Sequence, residues 1–217
     1  MDTPEGTPQH TLYGSRGSGS AAVEAALRLC GLKYRMVRAS TWESDSAQAE
    51  LARMNPLGQI PTLVLPGGQV LTESAAILIH LGLSVPPSHL LPADESGRAQ
   101  VIRGLVFIAA NCYAAISVND YPERWTTAST QSAQAKVRLA ARRQLHRHWE
   151  IFADTFAPAP WLSGAEPGAL DLLAAVVSRW SGARAHLAAQ RPELLAVLRR
   201  IDTLPAVRDI FEAHWPG

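Results

Sequence analysis

Asn55-Pro56-Leu57-Gly58-Gln59-Ile60-Pro61-Thr62-Leu63 is the segment from which the rest of the chain can be ordered. Pro61 stands directly before the apolar run Thr62–Leu65, which reads as a strand. A proline cannot donate a ladder hydrogen bond, so it suits a bend or a cis peptide at a strand entrance. Such a bend leaves the amide and carbonyl of Ile60 outside the sheet. They are then free to pair with an extended, peptide-like ligand as an added strand does, unless the bend serves the fold alone.

Working outward, Pro66-Gly67-Gly68 turns this strand back into Gln69–Leu71, and Glu73–Leu83 has the apolar spacing of a helix. Upstream, Thr11–Tyr13 reads as a short strand and Ala21–Cys30 as a helix opened by Ser18 or Ser20 and stopped at Gly31. Tyr34–Arg38 reads as a second strand, and Ala47–Met54 as a helix ending before the Asn55-Pro56 turn. The order β-α-β-α-β-β-α gives a parallel pair extended by an antiparallel hairpin. Val85-Pro86-Pro87-Ser88 reads as a linker. Beyond it nearly everything is helical, over about 94–120, 130–157, 168–186, 192–202 and 205–214. The expected architecture is α/β plus all-α: one domain over 9–85 and an all-helical one over 94–217.

Composition narrows the partners. With 217 residues, 47% of them apolar, the chain can bury a core without metal or disulfide staples. Lys and Arg total 20 against 19 for Asp and Glu, so neither nucleic acid nor an anionic membrane is an expected partner. Apolar stretches such as Leu170–Val177 fall short of the roughly 20 residues that span a bilayer. Met1–His10 carries Asp2 and Glu5 and lacks a basic region leading into an apolar one, so no signal peptide is expected and the cytoplasm is the expected compartment. Cys30 and Cys112 read as small buried residues. His146 and His148, two apart, diverge on a helix, and no metal site is expected.

Two further segments carry chemistry. In Leu71-Thr72-Glu73-Ser74-Ala75-Ala76-Ile77, Glu73 and Ser74 sit where a strand meets a helix, and free N–H groups there accept a carboxylate. Ser74 donating to that carboxylate while Glu73 receives an ammonium suits an amino-acid zwitterion; plain helix capping is the alternative. Gly14-Ser15-Arg16-Gly17-Ser18-Gly19-Ser20 is a flexible loop opening the first helix, where a hydroxyl or thiolate feels the same positive helix end. Arg16 adds a positive field or is simply solvated.

With these segments in order, the chain resembles a cytosolic glutathione transferase of bacterial type over about residues 10–215. NPLGQIPTL, TESAAIL and Trp161-Leu162-Ser163-Gly164 carry the match. The resemblance implies a thioredoxin-like N-terminal domain followed by an all-helical C-terminal domain, with glutathione as co-substrate and no permanently bound cofactor. It implies that Pro61 is cis, that Ile60 pairs through its backbone with the cysteinyl part of glutathione, and that Glu73 and Ser74 hold the γ-glutamyl group. Gln59, with Arg53 and Trp42 behind it, is the candidate for the glycine carboxylate.

Counted from Tyr13, Ser18 falls where serine-type members place the hydroxyl that holds the thiolate. Gly19 stands where cysteine-type members have their cysteine. Ser20 is the neighbouring alternative, or the helix N-cap, and Ser15 a weaker one; Tyr13 reads as packed in its strand. A hydroxyl donating to sulfur favours the thiolate over the thiol. Phe107, Asn111, Tyr113, Tyr121 and Trp125 would form the electrophile pocket, with Asn119–Trp125 as a pocket wall; aromatic residues at helical spacing are equally core.

Family members carry Thr or Ser at the cap of the buried helix in the second domain, with Asp three residues on. Here Gly168 occupies the cap and Asp171 survives as a structural residue. The expected activity is conjugation of glutathione to a small hydrophobic electrophile. Reduction of a disulfide or hydroperoxide and a non-catalytic binding or interaction module are the alternatives. Isomerisation is disfavoured by Ser18-Gly19-Ser20 in place of Ser-Ser-Cys. The resemblance also implies a homodimer.

Overall fold

Four short strands form one mixed sheet in the order β2-β1-β3-β4 in the structure, a computed structural model that describes residues 9–40 and 42–216. The N-terminal stretch up to Pro8, read above for the lack of a signal peptide, lies outside the described residues. β1 (His10–Gly14) runs parallel to β2 (Tyr34–Arg38), with His10 opposite Tyr34. β3 (Thr62–Val64) is antiparallel to β1, and β4 (Val70–Leu71) antiparallel to β3. Gly68 turns the hairpin at a φ of 85°, which an L side chain rarely adopts.

Helix α1 (Ser20–Leu29) buries Ala21, Ala22, Val23, Ala25, Ala26 and Leu27 completely. Its alanines leave room for the helix to lie close against β1, α3 (Ser74–Ser84) and α10 (Arg208–His214). It stops at Gly31, whose φ of 64° ends a right-handed helix at no steric cost. Side chains alternate across β1, so Leu12 and Tyr13 serve opposite faces. Tyr13 joins Ala39 and Leu51 of α2 (Gln48–Met54) in a second small cluster. Each fully buried Leu or Ile of this core, such as Leu12, Leu63, Ile77 and Leu78, contributes about 1.5–3 kcal/mol.

The second set of helices comprises α4 (Glu95–Phe107), α5 (Ala114–Asp120), α6 (Gln131–Thr155), α7 (Ala169–Val177), α8 (Ala183–Gln190) and α9 (Pro192–Asp202). Asp94 caps α4 through the Gly97 amide at 2.7 Å, and Thr130 caps α6 through Ala133 at 3.3 Å. All of α7 is buried. Gly104 lets α4 approach it, since a Cβ there would sit 2.6 Å from Leu170 Cδ2. A π-helical turn, Ile108–Tyr113, joins α4 to α5. The resulting run Glu95–Asp120 is long and apolar enough to cross a membrane by length and composition alone, a stretch the sequence reading did not count. Here Val101, Leu105, Ile108, Cys112 and Ile116 of that run are buried, and the run packs against α6 and α7.

The helix expected over 168–186 is in fact two. Ser181 and Gly182 have φ values of 54° and 76°, and a left-handed pair cannot continue a right-handed helix. The chain divides into two compact units, Met1–Ser88 with Pro205–Gly217, and His89–Leu204. The final helix, which the sequence reading kept in the helical domain, thus packs with the first unit. Its Asp209 pairs with Arg28 of α1 at 3.2 Å.

Candidate functional site

The bend before β3 is built by a buried asparagine. Asn55 Nδ2 donates to the Gln59 carbonyl at 2.9 Å and to Thr62 Oγ1 at 3.1 Å, while its Oδ1 accepts the Leu57 amide at 3.1 Å. Thr62 Oγ1 also donates to the Gln59 carbonyl, at 2.9 Å. With residues 55–62 held in this way, the Ile60–Pro61 peptide is cis. The β1–β3 ladder ends at Tyr13 opposite Thr62, so the amide and carbonyl of Ile60 stand beyond the sheet. Asn55 was passed over in the sequence reading, although an Asn at the start of an Asn-Pro turn is the residue type that bonds its own following backbone.

Glu73 occupies the N-cap position of α3 with φ 64° and ψ 109°, and its side chain makes no capping bond. It is exposed, whereas Ser74 is buried. Among the described residues, none of the Ser74, Ala75 and Ala76 amides donates to a protein acceptor outside the helix. A non-glycine residue held at such a φ is costly, and backbone strain of this kind clusters at ligand-binding sites. The strand-to-helix junction therefore presents a carboxylate, a hydroxyl and unoccupied amides together.

The loop before α1 is tightly internalised. Ser18 Oγ donates to the Ser15 carbonyl at 2.7 Å, accepts the Ser20 amide at 3.2 Å and lies 2.8 Å from Ser20 Oγ. Ser20 Oγ accepts the Ser15 amide at 3.3 Å. Ser20 is the first residue of α1 and not its N-cap: that position belongs to Gly19, which has no side chain to bond with. Ser18 instead covers the Ser20 amide. Ser20 is wholly enclosed, with its Oγ 2.5 Å from where a Cβ on Gly14 would lie; Ser18 keeps 6% of its surface. Ser15 Oγ donates to Glu43 Oε1 at 2.9 Å. The Tyr13 hydroxyl donates to Glu50 Oε1 at 2.5 Å, and burial first, then this partner, pushes its pKa up to about 12. Arg16, Trp42, Arg53 and Gln59 are exposed.

The five aromatic and amide residues expected to line a pocket have different surroundings within the helical unit. Phe107 packs its ring against Phe152 and Phe156, each at 5.9 Å, as core aromatics do. Asn111 uses its Nδ2 on the Phe107 carbonyl at 3.0 Å, at the π-helical turn. Tyr113 packs its ring against Trp180, tilted, with centroids 5.8 Å apart. Tyr121, under the Arg124 guanidinium at 4.1 Å, and Trp125 are exposed. A cavity of about 400 Å³ in this unit is lined by none of the five; His89, Trp161 and Glu166 are among its walls.

Asp171 is enclosed and accepts the Leu162, Ser163 and Gly168 amides at 2.8, 2.9 and 3.0 Å. A Cβ on Gly168 would lie 2.7 Å from the Leu90 carbonyl oxygen, which explains why glycine replaces a capping side chain. Burial pushes the Cys112 thiol up to about 12, so it is unreactive. Among the described residues no His, Cys, Asp and Glu cluster is placed to hold a metal ion.

Comparison with known proteins bears on the fold. Residues 20–82 match the family model of the glutathione S-transferase N-terminal domain. An uncharacterised GST-like protein of Escherichia coli K12, YncG, is 27% identical over 94% of this chain and 97% of its own length. Glutathione S-transferase GstA of Escherichia coli O157:H7 is 25% identical over 94% and 98%. A sphingomonad glutathione S-transferase solved in complex with glutathione superposes with a TM-score of 0.75 at 27% identity, over 95% of this chain and 100% of that one. Fold, matched N-terminal domain and end-to-end relatives coincide: residues 20–82 match a glutathione S-transferase N-terminal domain, and the chain as a whole is similar to glutathione S-transferases.

Proposed function

We propose that this protein binds glutathione along Ile60–Pro61 and Glu73–Ser74 and transfers its thiolate to a small hydrophobic electrophile, with Ser18 as the hydroxyl that holds the sulfur. The observation that carries the reading is Glu73, exposed at φ 64° and capping nothing, beside unoccupied amides. A zwitterionic γ-glutamyl group matches that arrangement: its carboxylate takes the α3 amides and the Ser74 hydroxyl, and its ammonium takes Glu73. The cysteinyl amide and carbonyl pair with Ile60 as an added strand. Gln59 is the candidate for the glycine carboxylate.

Ser18 is favoured over Ser20 because it alone of the two retains exposed surface. Its proton rests on the Ser15 carbonyl and must turn to the sulfur. Ser20 Oγ, 2.8 Å away, can then donate to Ser18 and support the new acceptor. Free glutathione thiol, with a pKa near about 8.5, is only a few per cent ionised at neutral pH. Each unit of lowering multiplies the thiolate fraction about tenfold. The thiolate attacks the electrophilic carbon, the leaving group departs with the bonding pair, and no covalent enzyme intermediate forms.

The exposed Tyr121 and Trp125 are the remaining pocket candidates for the electrophile, with Phe107, Asn111 and Tyr113 behind them. A cytoplasmic location, where the glutathione pool is reduced, belongs to this reading. So does a homodimer, in which a second copy would cover the exposed Val106 of α4 and Leu139 of α6.

Titration calorimetry with glutathione, then ultraviolet difference spectra of the bound thiolate and an electrophile panel, test the proposal. Binding, a lowered thiol pKa lost in Ser18→Ala but largely retained in Ser20→Ala, and turnover of aryl halides or epoxides are expected. Absence of binding at millimolar glutathione would end it. Binding without a lowered pKa or turnover would leave a glutathione-binding module, and turnover confined to mixed disulfides or hydroperoxides a reductase.

A further inference from the structure

The loop that carries Ser18 is tied to the C-terminal end of the chain through one imidazole. The Gly17 amide donates to His214 Nδ1 at 3.2 Å, across 197 positions of sequence. A backbone N–H can only donate, so Nδ1 is unprotonated and the neutral ring carries its proton on Nε2. That atom lies 2.8 Å from Glu24 Oε2, and the other Glu24 oxygen accepts the Tyr34 hydroxyl at 3.0 Å. His214 is buried, at 7% exposure, and the Glu24 side chain is mostly covered. The Glu24 carboxylate thus fixes the tautomer, and the tautomer fixes the Gly17 amide.

The position of this tie gives it a consequence for chemistry. Gly17 directly precedes Ser18 and has φ 68°, and it contributes no side chain to anchor the loop. The next residue, Gly19, caps nothing. On its other side the loop is held by Ser15 Oγ on Glu43. Once Ser18 turns its proton from the Ser15 carbonyl toward an acceptor, it keeps only its ties to Ser20. With the Gly17 amide also released, the glycine-flanked backbone on either side would no longer be held in place, and ordering the hydroxyl would cost entropy at the moment of use.

We propose that His214 is a positioning residue for the thiol-holding loop. Its Nδ1 fixes the Gly17 amide and so pre-orients Ser18, while Glu24 holds the imidazole in the tautomer this requires. The inference rests on the reading of Ser18 as the hydroxyl that meets glutathione sulfur. It assigns a role in setting the thiolate pKa to a residue at the far end of the chain.

The test compares two near-isosteric variants. His214→Asn keeps an acceptor where Nδ1 stands, whereas His214→Gln keeps a donor toward Glu24 and loses that acceptor. In His214→Gln the pKa of bound glutathione should rise by about half a unit to one unit, the worth of one hydrogen bond. In His214→Asn it should stay near the wild-type value. Measured below the bound thiol pKa, glutathione affinity should change less than about twofold in both variants; above it, His214→Gln should lose only the roughly threefold to tenfold that its pKa shift itself requires.

Equal shifts in the two variants would show that the ring acts by packing alone, and no shift in His214→Gln would overturn the proposal outright. Should His214→Gln not fold, Glu24→Gln takes its place, with a smaller rise in the same direction expected and no rise overturning the idea. The ¹⁵N spectrum of the wild-type ring is an independent check: a proton on Nδ1 would break the tie whatever the variants do. If wild-type protein binds glutathione without lowering its thiol pKa, it is the assignment of Ser18 that fails, and the tautomer and Gly17 amide exchange still report on the tie itself.

Discussion

Helices α3 and α7 both begin without a conventional capping side chain, and they treat their free N-terminal amides in opposite ways. At α7, the amides of Gly168, Ala169 and Leu170 reach Asp171 Oδ2, the Leu90 carbonyl and Ser163 Oγ at 3.0, 2.9 and 3.2 Å. Asp171 takes two further amides from the preceding turn and has no exposed surface. At α3, the cap residue Glu73 points its carboxylate outward from a strained backbone, and the first amides take no protein acceptor among the described residues. Buried N–H groups left unpaired cost free energy, so a sealed terminus must satisfy its own. An open one keeps its donors for something that arrives. The contrast separates two acidic residues, Glu73 and Asp171, that both sit at helix starts and that composition treats alike.

The contrast can be broken most directly at Asp171. Asp171→Ala leaves three buried amides without an acceptor and should cost about 3–5 kcal/mol in urea denaturation, with no acceptor in reach to compensate. A loss below about 1 kcal/mol would mean that water or a shifted backbone replaces the carboxylate, and that the α7 terminus is not sealed.

Glu73→Gly should behave in the opposite sense. Glycine accepts φ 64°, so relief of strain offsets its larger unfolded-state entropy and stability should hold or rise by up to about 1 kcal/mol. Glutathione affinity, measured by calorimetry, should fall about tenfold or more as the ammonium loses its charged partner. A Glu73→Gly protein that is clearly destabilised and still binds glutathione normally would place Glu73 with Asp171 as a structural residue.

A third test of the sealed terminus lies at Gly168. Local capping rules favour Ser there by a few tenths of a kcal/mol over Gly. The Leu90 carbonyl leaves no room for a Cβ, so Gly168→Ser should instead destabilise by about 1–3 kcal/mol. The backbone, at φ −141°, would accept any residue, so a stabilising result would show that the 89–90 segment yields readily.

What the sequence made legible was local. The strand over Tyr34–Arg38 and the helix over 192–202 fall where their patterns put them, and the Gly31 stop and the cis bond before Thr62 rest on residue types with few conformations open to them. The misses are of another kind. The run 168–186 kept its apolar spacing through Ser181-Gly182, and only the left-handed backbone there splits it. Ser20 looked like a cap because serine before an apolar run usually is one. Whether its hydroxyl faces the helix amides or the Ser15 peptide depends on how closely Gly14 passes. Phe107 and Asn111, proposed for the pocket, also have partners within the helical unit, a double reading that helical spacing leaves open.

The sequence by itself determined the element order and the two-part architecture, because turns, caps and short apolar periods are written in consecutive residues, and it named Ile60, Glu73 and Ser18 as candidates for the proposed site. Only the tertiary structure decided that the C-terminal helix returns to the first unit, that His214 meets the Gly17 amide and Glu24, and that Asn55 shapes the bend. Those outcomes depend on contacts between residues distant along the chain or on the direction of a single side chain. Pairing of that kind is fixed by packing and by the requirement that buried polar groups find partners, and no local pattern encodes it.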